Sequence, residues 1–442
     1  MSNILVLGYE LPSLASSAIE ARSYRTWQFV EPLLSDGHRV CLISSHTDDQ
    51  HDVPHGHGAA LTVCRLNLRR RGWLTQANRI QQAFNPDGVL AVMFNSALRA
   101  TRLATDKPIW MDLYGDKLAE TQIAEHVQNT DRGRGNMLRY LHTILHVGDV
   151  YSTCSTPQKY ALVGQLGMAS RLNRQTVGYE FVHAILPGAS NAAADKVHIT
   201  EATRLRSTLV PDDAFIVMWC GGYNVWTDVD PLFGALSEAM SRDPRVHFVS
   251  VGAGVKLPNN DSYERFAAKI EPSPHKARFH LLGWRPASEV PAFYRQADVG
   301  INLDLLHYET VLGTRTRMIE MMRHGLPVVT SLGCELSEIV RDQSLGLTFP
   351  IGDAPAFAQC LLTLAADDAV HSAMSTRALH YATNQLSFAE TTRPFRQWAR
   401  APYHAPDHAN PNATSNAEKV EHELRTLARG VLWRVWGLER GE

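Results

Sequence analysis

The sequence lacks a large excess of charge of either sign. Its 442 residues contain 43 Lys and Arg against 45 Asp and Glu, which excludes a nucleic-acid binder that works through bulk positive charge. No apolar run approaches the roughly 18–20 residues that span a bilayer, and the N-terminus has neither the basic segment nor the cleavage site of a signal peptide. We therefore expect a cytoplasmic protein, with peripheral contact at the inner face of the membrane as a second option.

Cysteine is also scarce, and no two cysteines lie close together in the sequence. The six cysteines all lie more than four residues apart, which excludes a zinc knuckle and a Cys-x-x-Cys redox motif. The loop from His46 to His57 is rich in His and Asp. Such a loop can bind a metal, but a solvated loop is the simpler interpretation, and we expect neither a metal nor another cofactor.

Short apolar runs alternate with helical periodicity along most of the chain. This pattern indicates parallel sheets covered by helices on both faces. It weakens between residues 173 and 213, although 200–209 look helical, and this stretch separates two series of strands. The predicted strands are 4–7, 40–44, 61–66, 89–94, 109–113 and 150–154, then a run from Phe215, 246–251, 279–282, 299–303, 328–331 and 345–349.

This pattern predicts four segments. We expect an N-terminal Rossmann-like unit over 1–185 and a second Rossmann-like unit over 186–395, with the linker at about 173–213. A flexible spacer over 396–416 and a C-terminal amphipathic helix over 417–442 complete the chain. Ligands of doubly wound sheets bind at the carboxyl ends of the strands, which here means the cleft between the two units.

Two arginines stand at the predicted start of a helix that begins near Thr314 or Thr316. The helix macrodipole makes cations unfavourable there unless an anion is bound as well. Free backbone N–H groups together with Arg315 and Arg317 predict a phosphate or diphosphate site. Glu320, one turn further along the same face, could accept two hydrogen bonds from a ribose diol. The alternative is a solvated helix with an internal Arg317–Glu320 pair.

The same helix carries a family resemblance. Residues 319–330, Ile-Glu-Met-Met-Arg-His-Gly-Leu-Pro-Val-Val-Thr, resemble the glutamate–helix–Gly-x-Pro-Val-Val signature of retaining GT-B glycosyltransferases of family 4. Residues 307–310 and 315–317 resemble a bacterial branch with Arg-Thr-Arg before the ribose-binding glutamate. Further matches follow the family order at 221–228, 251–254 and 282–286. The resemblance covers about 1–395 and implies an α/β GT-B fold, with two doubly wound Rossmann-like domains facing a cleft.

The resemblance also implies a donor site. The family's usual basic pair after the glycine turn is absent, so Arg315 and Arg317 are expected to supply its positive charge. The first of the two family glutamates is replaced by Leu312, and Glu309 is the nearest candidate for that role, which makes it a catalytic candidate together with Arg317. The donor-binding candidates are Gly222, Tyr223, Asn224, Thr227, Trp284, Arg285, Thr314, Arg315, Thr316, Arg317 and Glu320.

Acceptor-side candidates come from the N-terminal unit. Asp112 and Asp116 end a predicted strand near the position where the family often has a histidine. Either could orient the acceptor hydroxyl or act as a base, and the alternative is a helix N-cap, a common role for aspartate. Four further residues follow the first strand and are equally suited to structural roles: Tyr9, Glu10, Arg22 and Arg25.

Together these features predict a glycosyltransferase. It would move a sugar from a nucleotide-diphosphate sugar to a hydroxyl of a glycan, lipid-linked or small-molecule acceptor, with retention, in bacterial glycan or glycosylated-metabolite biosynthesis. Arg315, Arg317 and the helix terminus would stabilise the departing diphosphate. The alternatives are a nucleotide-sugar epimerase, a pseudo-glycosyltransferase, or a binding partner that has lost catalysis. No nucleic-acid partner is expected.

The predicted C-terminal helix has one apolar stripe, formed by Val420, Leu424, Leu427, Val431, Val435 and Leu438. Flanking arginines and tryptophans suit a membrane interface, but nearby glutamates offset the arginines. We therefore favour packing on the enzyme's own body or on a second subunit, which would make a homodimer, over peripheral membrane contact.

Overall fold

The computed structural model describes residues 1–12, 21–53, 55, 57–190, 198–255 and 259–408. They form two α/β units, each built on a parallel sheet. The first sheet has the strand order β3-β2-β1-β4-β5-β6-β7. Its strands are β1 (Asn3–Gly8), β2 (Arg39–Ser45), β3 (Leu61–Leu66), β4 (Gly88–Val92), β5 (Ile109–Asp112), β6 (Val150–Thr153) and β7 (Val182–Ala184). Its helices are α1 (Ala21–Ser35), α2 (Trp73–Phe84), α3 (Phe94–Ala100), α4 (Lys117–Gln128), α5 (Arg134–Val147) and α6 (Thr156–Met168).

The second sheet has the order β10-β9-β8-β11-β12-β13. Its strands are β8 (Phe215–Cys220), β9 (Val246–Val251), β10 (Phe279–Leu281), β11 (Val299–Asn302), β12 (Val328–Leu332) and β13 (Gly346–Pro350). The helices that follow β8 to β12 are α7 (Val229–Arg242), α8 (Ser262–Ile270), α9 (Val290–Tyr294), α10 (Tyr308–Leu312), α11 (Thr316–Arg323) and α12 (Glu335–Asp342). The chain then continues through α13 (Ala354–Ala366), α14 (Asp368–Asn384), α15 (Phe388–Thr391) and α16 (Arg393–Arg400).

The central strands are buried on both faces. Ile4, Leu5 and Val6 of β1 are 0% exposed, as apolar runs in a parallel sheet with helices on both sides should be. The two predicted doubly wound units are confirmed. The predicted helix over 200–209 is wrong: a 3-10 turn at Glu201–Thr203 is followed by Ser207 with a φ of 63°, and this left-handed residue interrupts any helix.

The end of the described chain returns to the first unit. Phe395 and Trp398 of α16 lie edge-on to Trp110 of β5, with ring centroids 5.3 and 5.7 Å apart. Residues 401–408 continue along this unit, where Asp407 pairs with buried Arg171. The predicted spacer over 396–416 is therefore wrong for its first part, because burial of aromatic rings holds it in place. Residues 417–442, with the predicted amphipathic helix, lie outside the described residues.

The carboxyl ends of the two sheets face each other. Tyr114, just after β5, has its hydroxyl 2.8 Å from Oγ1 of Thr316, the first residue of α11. Ser155, after β6, donates to the carbonyl oxygen of Leu312 at 2.5 Å. The cleft between the units is thus lined by loops that follow strands. Within the described residues, no helix is long and apolar enough to cross a bilayer.

Candidate functional site

Arg317 lies in the first turn of α11, beside the glycine turn that follows β8. Its Nη2 donates to the carbonyl oxygen of Gly222 at 2.9 Å, and its guanidinium lies 4.0 Å from the ring centroid of Trp219. Its Nη1 is buried and has no hydrogen-bond partner among the described residues. Burial lowers the pKa of this group, yet an arginine stays charged at neutral pH. The site therefore presents a cationic donor without an acceptor.

A second polar atom near the start of α11 is in the same condition. The Oγ1 of Thr314 is buried and makes no hydrogen bond within the described part of the chain. A buried polar group left without a partner is destabilising by about 1–3 kcal/mol. An anion with several acceptor oxygens at this helix N-terminus would satisfy such donors and would interact favourably with the helix dipole.

The glycine turn after β8 lies beside Arg317. Gly221 has a φ of 115°, a conformation that favours glycine. A Cβ added to Gly222 would lie 2.3 Å from Val255 Cγ2 and 3.4 Å from Trp284 Cη2. Trp284 is 54% exposed, so the turn has an accessible aromatic ring next to a bare backbone. The turn continues to Thr227, whose Oγ1 accepts from the N–H of Asn224 at 3.1 Å.

Arg315 differs from the sequence prediction. Its Nε donates to Asp304 at 2.8 Å, and its two terminal nitrogens donate to Glu309 at 3.0 and 2.8 Å. Burial alone would lower the pKa of Arg315, but the two carboxylates raise it well above its usual value. Asp304 and Glu309 are both buried and both pair with Arg315. Arg315 therefore supplies no free positive charge, and Glu309 is not free to act on a substrate.

Two other donor-side candidates are also occupied. Tyr223 is fully buried, its hydroxyl lies 2.9 Å from Ser250 Oγ, and its ring stacks on Trp219. The guanidinium of Arg285 pairs with Glu289. The prediction of side-chain contact with the donor is therefore wrong for Tyr223, which is packed in the core. For Arg285, whose side chain is 31% exposed, it stays a prediction.

Glu320 lies where the two units meet. Its Oε1 accepts a hydrogen bond from the hydroxyl of Tyr24, on α1 of the first unit. Its Oε2 is 3.5 Å from Arg323 Nη1. Burial and the adjacent carboxylate raise the pKa of Tyr24 well above its usual value. Glu320 thus bonds across the cleft, not to Arg317, and Oε2 retains accepting capacity.

The two aspartates after β5 have structural partners. Asp112 is 0% exposed and accepts from Arg25 Nε at 3.1 Å, from Arg25 Nη2 at 2.7 Å and from Ser152 Oγ at 2.7 Å. Asp116 caps α4 by accepting from the N–H of Ala119 at 2.8 Å. The predictions of Asp112 or Asp116 as a base and of Arg25 on the acceptor side are thus contradicted, because buried pairing and capping engage these groups.

The remaining acceptor-side candidates lie beyond β1. Glu10 pairs with Arg65, which removes it from the list of free carboxylates. Arg22 is exposed, and its guanidinium lies 5.1 Å from the ring centroid of Tyr9. These two residues stay candidates for acceptor contact.

Sequence reasoning missed three residues at this site. Tyr24 and Tyr114 form the hydrogen bonds that join the units at Glu320 and Thr316, and Asp304 anchors Arg315. A signal existed for Asp304 and Tyr114, since both follow a predicted strand at its carboxyl end. Tyr24 had none, because its partner is 296 residues away.

Comparison with known proteins finds a family match in the second unit and one curated relative. Residues 214–367 match the family model of group 1 glycosyl transferases. A D-inositol 3-phosphate glycosyltransferase from Corynebacterium efficiens is 27% identical over 214 residues. That alignment spans 48% of this chain and 48% of the relative, so about half of the curated relative is matched.

Solved structures are similar over nearly the whole length. Sucrose-phosphate synthase from Thermosynechococcus elongatus has a TM-score of 0.67 at 17% identity, covering 90% of this chain and 98% of that one. Anabaena HepE, solved in complex with UDP and glucose, has a TM-score of 0.64 at 14% identity, covering 90% and 99%. An Escherichia coli trehalose-6-phosphate protein bound with UDP-2-fluoro glucose has 0.65 at 11%, covering 91% and 100%. The chain therefore has the GT-B fold, and its second unit matches the group 1 glycosyl transferases.

Proposed function

We propose that this protein is a glycosyltransferase that moves a sugar from a nucleotide-diphosphate sugar to an acceptor hydroxyl, with retention, in bacterial glycan or glycosylated-metabolite biosynthesis. The observation that carries the proposal is the buried Nη1 of Arg317 at the N-terminus of α11, which has no hydrogen-bond partner in the described part of the chain. A cation that has lost its hydration without gaining a carboxylate is suited to an anionic ligand. The family match over 214–367 supports the same conclusion.

The geometry suggests where each part of a donor would lie. The exposed ring of Trp284 and the bare backbone of Gly222 would receive the base, and Glu320 would accept from the ribose diol. Arg317, Thr314 and the N-terminus of α11 would bind the diphosphate. Charge grows on the diphosphate as the glycosidic bond breaks, so donors already aimed at it stabilise the transition state more than the ground state.

A catalytically degenerate binding partner is the second candidate, and one observation favours it. Glu309, the nearest substitute for the family's first glutamate, is held by Arg315 in a buried pair. The two functions differ in turnover: a glycosyltransferase transfers the sugar or slowly hydrolyses its donor, whereas a binding partner leaves the donor intact.

The test begins with nucleotide binding. Calorimetric titration of a panel of nucleoside diphosphates identifies the base, and the corresponding radiolabelled sugar donors are then incubated with and without candidate acceptors. We expect one nucleotide to bind and its donor to release sugar. Chromatography of the products separates transfer from epimerisation. Failure of every nucleoside diphosphate to bind would overturn the proposal.

Glu320→Ala is expected to weaken nucleotide binding by about 1.5–3 kcal/mol, the range for hydrogen bonds to a charged group. A 2′,3′-dideoxy nucleotide should bind the wild type and the variant about equally, because it lacks the diol. The measurement is calorimetric titration with both nucleotides.

Two controls accompany that measurement. Glu338→Ala removes an exposed carboxylate from α12 and should leave binding unchanged. Tyr24→Phe removes the hydrogen bond across the cleft but keeps the carboxylate, so this variant should still prefer the diol. If Glu320→Ala distinguishes the diol as well as the wild type does, the ribose is held elsewhere.

A further inference from the structure

Three side chains that can bind a metal meet at the edge of the first unit, away from the cleft. Asp149 directly precedes β6, at the amino end of the strand, and is 1% exposed. The Nδ1 of His404 lies 3.2 and 3.3 Å from the two carboxylate oxygens. The Nδ1 of His408 lies 3.4 Å from Asp149 Oδ1. One ligand atom from each residue lies within 4.8 Å of the others.

A contact of His404 with the backbone determines which of its two ring nitrogens carries a proton. Its Nε2 lies 3.0 Å from the carbonyl oxygen of Asp106, and a carbonyl can only accept, so Nε2 carries the proton. When the ring carries only this proton, the Nδ1 lone pair faces Asp149. This lone pair and the carboxylate of Asp149 face each other favourably only when a cation, either a proton or a metal ion, lies between them.

The two spacings between the carboxylate and the imidazoles match those of a metal site. Zinc binds imidazole nitrogen at about 2.0–2.1 Å and carboxylate oxygen at about 2.0–2.2 Å, so neighbouring ligands of a regular tetrahedron lie about 3.3–3.5 Å apart. The carboxylate-to-imidazole distances are 3.2 and 3.4 Å. An Nε2–H bonded to a backbone carbonyl is also the usual outer contact of a metal-bound histidine.

The ligands are held in position by bonds that need no metal. The carboxylate of Asp149 accepts from the N–H groups of Ile109 and Ala405, each at 2.8 Å. Asp407, next to His408, forms a buried two-point pair with Arg171 at 2.7 and 2.9 Å. Because the ligands are already ordered, less conformational entropy is lost when a metal binds.

We propose that Asp149, His404 and His408 form a binding site for a divalent metal of the zinc class, which fastens residues 401–408 to the first unit. Two imidazoles and one carboxylate suit zinc better than calcium or magnesium, which prefer oxygen ligands. The side chain of His408 is 47% exposed, which leaves a fourth position for water. The site is separate from the proposed donor site, and metal bound there would raise the stability of the folded protein.

Metal uptake by untagged, chelator-treated protein tests the proposal. After equilibration with Zn²⁺ and removal of free metal, elemental analysis should find about one equivalent less in the His404→Ala, His408→Ala double variant than in the wild type. The control is His142→Ala, His146→Ala, which removes an exposed pair on α5 with its Nε2 atoms 3.0 Å apart. This control should retain the wild-type equivalent; equal uptake by wild type and site variant, or loss in the control alone, overturns the proposal.

A second measurement covers a folding defect in the double variant. His408→Ala alone removes a half-exposed ring and should fold. Co²⁺ bound to the wild type should show the visible absorption of a four-coordinate site, and this spectrum should be lost in His408→Ala. Zn²⁺ should raise the Tm of the wild type but not of His408→Ala, with nucleotide binding equal in both. The same Tm response in both proteins would contradict the site.

Discussion

Replacement of Asp112 by alanine is expected to lower the free energy of unfolding of the first unit by about 3–5 kcal/mol, because it leaves Arg25 as a buried cation without its partner. The guanidinium of Arg25 is 1% exposed. Burial alone would lower its pKa, but the carboxylate of Asp112 more than offsets this and raises it. Urea unfolding followed by tryptophan fluorescence measures the effect, since Trp110 lies on the same strand.

Two variants separate this role from catalysis. Asp116→Ala removes only a helix cap and should lower stability by about 1 kcal/mol. Arg25→Met combined with Asp112→Ala removes both charges and should recover much of the loss, because an uncharged pair leaves no buried ion. An Asp112→Ala protein that unfolds like the wild type but no longer transfers sugar would show that Asp112 acts on the acceptor.

The fold was predictable because its signal is local. The strand β9, Val246–Val251, coincides with its predicted run, because all six residues are buried and four of them are apolar, as is typical of a strand covered on both faces. The strand β7, Val182–Ala184, was missed because three residues are too few for such a pattern. The return of α16 to the first unit depends on contacts between Trp398 and Trp110 that no local pattern contains.

The site was only partly predictable, because ion pairing is not local. The positions of Arg315 and Arg317 at a helix start were visible in the sequence, but their partners were not. Asp304 lies 11 residues before Arg315, and the segment between β11 and α11, which includes α10, brings them to 2.8 Å. The pairing of Arg25 with Asp112 spans 87 residues. The sequence thus located the cations, and the fold determined which one stays available.

That difference between the two arginines predicts opposite consequences of substitution. Arg317 has no carboxylate partner among the described residues, and burial lowers its pKa, so it is held at an energetic disadvantage until an anion binds. Arg317→Met preserves much of the side-chain volume. We expect the free energy of unfolding without ligand to be unchanged or higher, whereas Arg315→Met should be destabilising because Asp304 and Glu309 lose their shared cation.

Catalysis should respond in the opposite direction. Loss of a hydrogen-bond donor that stabilises transition-state charge typically raises the activation free energy by about 3–4 kcal/mol. Arg317→Met should therefore retain about one part in several hundred of the wild-type kcat/KM. Arg341→Met, on the exposed face of α12, is the matched control and should be fully active. Steady-state kinetics with the natural donor and urea unfolding on the same preparations measure both properties. An Arg317→Met protein with near-normal kcat/KM would place the diphosphate elsewhere, and one with reduced stability would mean that Arg317 supports the fold through Gly222 and Trp219.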